Sequence, residues 1–196
     1  MKRFLTLLLC ALMLSMPAAP AYALFDSKTP AQQRAEILKQ NEQIMNRLYT
    51  LEPHARDLVA KSAGYATFSN FGMKILLAGG GSGSGVVMKP GNAKPVFMKM
   101  LEVQAGLGVG IKSFTVIFVF ETEKALNGFV NSGWTFGGQA TAAAKYETKG
   151  GAYEGATNVS EGVWMYQLTD NGLAAEITAK GTKYYRDDDL NKASGK

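Results

Sequence analysis

Residues 103–144 read VQAGLGVGIKSFTVIFVFETEKALNGFVNSGWTFGGQATAAA, and this stretch restricts the fold more than any other part of the chain. Glycines at 106, 108 and 110 alternate with Leu107, Val109 and Ile111. A strand built this way carries side chains on one face only, and the bare face admits another backbone or a helix at close range. From 114 to 120 the residues are almost continuously β-branched or aromatic, which suits a central strand covered on both faces. Glu121, Thr122 and Glu123 then supply the acidic and capping groups of a helix N-terminus. Ala125, Leu126, Phe129 and Val130 make one apolar stripe, and Gly133 stops the helix before Trp134 opens a second run of small residues.

Helices are expected ahead of this β-rich body. Thr29 followed by Pro30 and Gln32 predicts an N-cap, an N1 proline and a capping box. Ile37, Leu38, Ile44, Met45, Leu48 and Leu51 mark one apolar face of that helix. Pro53 restarts a second helix through Lys61, which Gly64 ends. Strands are expected near 65–69, 75–79, 84–89, 94–104, 106–120, 134–146, 158–168 and 173–179, with turns at Pro90-Gly91-Asn92 and Asp170-Asn171-Gly172. All 22 glycines lie at or beyond Gly64, so their bends and close approaches belong to the sheet. The fold class is therefore α+β, with N-terminal helices packed on a strongly bent, nearly closed antiparallel sheet. An all-β fold is the alternative if the first helices stand apart.

The first 23 residues read as an export signal rather than as part of the fold. Lys2 and Arg3 form a charged start, residues 4–16 an apolar core, and Ala21-Tyr22-Ala23 a small-x-small exit. That core is shorter than the roughly 20 residues a membrane-spanning helix needs. Cys10 sits inside it behind Leu9, where lipid attachment would need a small residue. Without the signal the chain has no cysteine and a formal charge of +3, from +5, which implies neither disulfides nor nucleic acid. The organisation expected is a signal peptide at 1–23, a helical segment at 24–51, one domain at 52–187 and a polar, frayed tail at 188–196. The address expected is a bacterial periplasm or the exterior, with peripheral envelope association.

The chemical inventory is poor. His54 is the only histidine and stands at a helix start, so a Ser-His triad or a zinc site would rest on one imidazole. GGGSGSG at 79–85 lacks the Gly-Lys-Ser/Thr ending of a phosphate loop and reads as a tight hairpin or bent edge strand. GLGVG at 106–110 precedes a strand, whereas a dinucleotide site needs a helix there. Asp187-Asp188-Asp189 lacks the spaced ligands of a calcium loop, and Glu121 with Glu123 is accounted for by helix N-terminal charge. No catalytic residue, metal or cofactor is assigned, and an enzyme is not expected. Lys183, Tyr184, Tyr185 and Arg186 suit either a membrane interface or a last strand with alternating faces.

The order of glycine-alternating strand, buried strand, short helix and Gly-Trp closely resembles the SYLF domain family. AKSAGYATFSNFG and AGGGSGSGVVM within 60–88, and VWMYQLTDNGLAAEITAKGTKYYR at 163–186, agree with it, and the resemblance covers roughly 52–187. One departure is Ser69 after Phe68, where many relatives carry proline. The resemblance implies a non-enzymatic lipid-binding module, since eukaryotic relatives bind phosphoinositides and associate with actin regulation and bacterial relatives are described as lipid-binding. A secreted bacterial chain meets no actin, so only an anionic phospholipid or membrane surface transfers as a partner. The alternative is an envelope structural or protein-interaction domain that docks a partner on its apolar face.

Phe71, Met73 and Leu76 beside Lys74, with Lys89, Lys94 and Lys99 on the neighbouring hairpins, form the candidate lipid-binding set. For export, cleavage is expected after Ala23 with Leu24 as the new terminus. Intact-mass analysis of secreted or periplasmic protein checks this, and an acylated Cys10 retained on the chain would defeat it.

Overall fold

A computed structural model describes residues 28–75, 78–91, 94–105, 110–136, 154–170, 172–173 and 181–192, with side chains in 70–79, 103–114 and 136 left aside. Helix α1 (Pro30–Leu51) starts at Thr29, whose hydroxyl accepts from the Gln32 N–H while the Gln32 side chain accepts from the Thr29 N–H. This is the capping box expected from the sequence. Its buried face is Ile37, Asn41, Met45 and Leu48, whereas Leu51 is 41% exposed. Asn41 is thus a polar member of a stripe expected to be apolar. It accepts from the Thr67 hydroxyl at 2.9 Å and donates toward the Tyr65 hydroxyl at 3.3 Å, which fixes α1 against the sheet at one height. Helix α2 (Ala55–Lys61) follows at once.

The strands are β1 (Gly64–Ile75), β2 (Ala78–Met88), β3 (Val96–Ala105), β4 (Gly110–Phe120), β5 (Trp134–Phe136), β6 (Thr157–Ser160), β7 (Val163–Thr169), β8 (Gly172–Leu173) and β9 (Thr182–Arg186). They form one antiparallel sheet ordered β5-β9-β3-β2-β1-β4-β7-β6, with β8 paired to β7. Helix α3 (Glu123–Ser132) links β4 to β5 and helix α4 (Asp188–Asn191) follows β9. Adjacent strands lie about 4.8 Å apart, so in a flat sheet β4 and β9, four places apart, would be separated by roughly 19 Å. The rings of Phe118 on β4 and Tyr184 on β9 are instead 5.1 Å apart, and Phe118 is 5.5 Å from Trp134 on β5. The sheet is therefore strongly curled into a half-barrel.

Both faces of that sheet are covered. On the concave side Phe68, Met98, Met100, Phe118, Phe120 and Tyr184 enclose Leu126, Phe129 and Val130 of α3. On the convex side Met45 and Leu48 of α1 and Ala55 and Leu58 of α2 pack on Ile117, Val119, Trp164 and Tyr166. Residues 116–120 of β4 are accordingly all buried, as their unbroken apolar run implies. Thr122 caps α3 by accepting from the Ala125 N–H, and Gly133 ends it at φ +68. A Cβ on Gly133 would stand 2.7 Å from the Tyr184 carbonyl oxygen, so helix and β9 meet only because this side chain is missing.

Several expectations are corrected. Residues 70–74 and 80–83, read as loops, continue β1 and β2 in unbroken register from Tyr65↔Met88 to Ile75↔Ala78. The glycine-rich run is the second arm of the β1–β2 hairpin and not an edge strand, because β2 lies between β1 and β3. Gly85 explains part of that composition, since its Cβ would lie 2.4 Å from a ring carbon of Phe68 on the facing strand. Ser69, standing where many relatives carry proline, pairs with Ser84 and Thr115 and keeps β1 continuous. Residues 187–192 of the tail are ordered rather than frayed: Asp187 is buried, caps α4, and delivers a buried Leu190 onto Ile37, Val86 and Phe97. The glycines at 106 and 108 lie outside the described residues.

Phe118→Ala removes a ring that meets those of Phe68, Phe129, Trp134 and Tyr184. It is expected to cost on the order of 3 to 5 kcal/mol. Denaturant melts measure this, and a loss below about 1 kcal/mol would contradict the burial.

Candidate functional site

Strand register aligns Ser69 on β1, Ser84 on β2, Lys99 on β3 and Tyr185 on β9 into one row across the convex face. Ser82, Leu101 and Lys183 occupy the next row of the same face. Along one side α1 contributes Gln33, Glu36, Ile37 and Gln40, while Asp187 and Leu190 close the other, leaving a groove of about 670 Å³.

The charges inside it are matched. The Lys99 ammonium lies 3.2 Å from a carboxylate oxygen of Asp187, which is 5% exposed at its side chain against 43% for the lysine. Asp187 also accepts from the N–H groups of Asp189 and Leu190. One carboxylate therefore ties the groove wall, the α4 N-terminus and the lysine together. Glu36 is paired with Lys28. Beyond the groove, a hydrogen bond from Lys192 holds the Asp189 carboxyl below its usual range, and the same contact raises Lys192.

Outside the groove's hydroxyl row the lip is amphipathic. Leu101 is 47% exposed and pairs directly across the strands with exposed Lys183, whose ammonium lies 5.7 Å from the Tyr185 ring centre. Tyr184, next along β9, points the other way and is fully buried. Burial pushes its phenol far above the ordinary range, with the nearby Glu102 charge adding to the shift. Residues 182–186 are thus the alternating strand, and its outward Tyr185 lines the groove.

Of the expected lysines whose side chains are described, Lys99 lines this groove. Lys89 donates to Asn127 at 3.0 Å and approaches Glu123 at 3.4 Å, both on α3, and so serves the concave side. Lys94 is exposed just ahead of β3. Phe71, Met73 and Lys74 pair through their backbones with Ser82, Gly80 and Gly79 in β1 and β2, but their side chains lie outside the described residues, as do Leu76, Ala23 and Leu24 entirely. His54 precedes α2 on the surface with no capping bond from its side chain. Among the described residues no group of three or more His, Cys, Asp or Glu is placed to hold a metal ion.

The residues missed from sequence are Ser69, Ser84, Leu101, Asp187 and the α1 amides. Their proximity depends on register and on where α1 lands, which local periodicity does not carry.

Residues 101–194 match the family described as "Ysc84: Las17-binding protein actin regulator". Over 171 residues the chain is 27% identical to "Beta cell expansion factor A" of Aeromonas veronii, an alignment covering 87% of this chain and 64% of that protein. The chain thus spans less than two thirds of this relative's length.

Asp187→Ala removes the α4 cap and the buried partner of Lys99 together, and is expected to destabilise by about 1 to 2 kcal/mol. Lys99→Met, at a half-exposed position, is expected to cost no more than about 1 kcal/mol. Thermal melts of the pair check this ordering, and equal losses would contradict it.

Proposed function

Because the chain belongs to the Ysc84/SYLF domain family, we propose that it is a non-enzymatic, phospholipid-interacting domain acting in the periplasm or outside the cell. The observation that carries this reading is the lip of β3 and β9. A half-exposed Leu101 stands there beside Lys183, Lys99 and Tyr185. Apolar tips flanked by ammonium groups and a tyrosine fit the headgroup layer of a membrane, where leucine enters the acyl boundary and lysine meets lipid phosphate. No described helix is long and apolar enough to cross a membrane, and the contact proposed is peripheral. The family's description names a protein, Las17, as a binding partner, and docking of a protein on this same lip is the competing reading.

Leu101→Asp with Lys183→Glu separates the two. Co-sedimentation with vesicles of phosphatidylglycerol and phosphatidylethanolamine is expected to fall about tenfold or more in the double variant, with the melting temperature nearly unchanged. Raising the salt should weaken binding of the unaltered protein through screening. Vesicle binding that is absent in the unaltered protein, or equal in the variant, would reject the membrane reading at this surface.

A further inference from the structure

The outer groove holds more hydrogen-bonding capacity than the protein uses. Ser69, Ser82 and Ser84, the Gln40 amide and the Tyr185 phenol all line it. Among the described residues, none of these polar groups is hydrogen-bonded to another part of the chain. The adjacent rung of the sheet shows what a purely structural solution looks like, because Val86 and Phe97 there pack tightly against Ile37 and Leu190. At the serine rung the same helix and the same strands leave about 670 Å³ open. Serine is also a poor strand former beside valine or threonine, so neither packing nor propensity explains the choice.

The charge pattern narrows what could fill the space. An anion would compete with the buried Asp187 carboxylate for Lys99, and a cation would find Glu36 already paired with Lys28. What remains is a set of neutral donors and acceptors interspersed with Ile37, Leu101 and Leu190. Hydroxyls at the edge and C–H groups on the faces are the complement of such a wall, and that is the chemistry of a sugar ring. The row from Ser69 to Tyr185 crosses four strands, a length of about 14 Å, enough for more than one ring. We propose that this groove binds a short neutral oligosaccharide, either as a free glycan or as the headgroup of a glycolipid. The site abuts the lip and shares Leu101 and Tyr185 with it, but its hydroxyl row from Ser69 to Ser84 lies away from Lys183.

The test is calorimetric titration of the full mature chain with maltotetraose and with chitotetraose. Saturable binding of at least one is expected, with little change on adding salt because no net charge is engaged. Ser69→Val combined with Ser84→Val should weaken it about tenfold or more by removing two hydrogen bonds. Tyr185→Phe, which deletes one oxygen and cannot disturb the strand, should weaken it several-fold, and Lys94→Glu, at an exposed position outside the groove, should leave it unchanged. Retention on vesicles carrying a digalactosyl lipid but not on phosphatidylcholine vesicles would identify a glycolipid source. Displacement from them by free tetrasaccharide would show the same site at work. The proposal is overturned if neither sugar binds, if inorganic phosphate displaces the sugar, or if both the serine and tyrosine variants bind as the unaltered protein does.

Discussion

Everything in this molecule depends on a set of aromatic rings meeting across the inside of a curled sheet. Phe68, Phe118, Phe129, Trp134 and Tyr184 come from β1, β4, α3, β5 and β9, and their centroids lie between 4.7 and 6.5 Å apart. Such contacts are favourable only at near edge-on or offset geometry, so they set the curvature as well as benefiting from it. The curl in turn demands strands without bulk where rings cross, and Gly85 under Phe68 meets that demand. The convex face then bows outward. Helix α1 follows it over Leu48 and Met45 and again at Ile37, and the groove opens beside the helix along the serine row.

Local chemistry made some of this legible in advance. The Thr29 capping box, the α3 stripe ending at Gly133, and the two-sided burial of 116–120 follow from nearest-neighbour rules that tertiary contacts did not overturn. Residues 79–85 were not legible. A run of Gly and Ser has no hydrophobic period, and its strand is imposed by β1 on one side and β3 on the other. Asn41 escaped for a related reason, since a buried amide is recognisable only once Thr67 and Tyr65 are seen opposite it. The candidate site shares this character. Lys99 stood out by charge, but the hydroxyls beside it belong to three separate strands and become one surface only through register.

The two faces differ in what they leave open. The concave side is filled by its own aromatic rings and by α3, and Tyr184 stays neutral there because burial so disfavours its anion. The convex side keeps an unfilled groove with paired charges, hydroxyl walls and an apolar lip. The proposed groove is walled by paired strands of the half-barrel, so a ligand bound there would meet a surface that strand pairing already holds in place.

The pairing of β9 with β3 has a consequence for how the chain reaches this state. Arg186 lies opposite Met98, and Tyr184 opposite Met100, so the centre of the core joins residues more than 80 positions apart in the chain. Neither half of the molecule can bury its rings alone. Closing so long a loop costs entropy before any of the ring contacts repay it, and topologies dominated by such pairings fold slowly and as a unit. Hairpins β1–β2 and β2–β3 can form early from near neighbours. The half-barrel itself acquires its curvature only when β9 arrives.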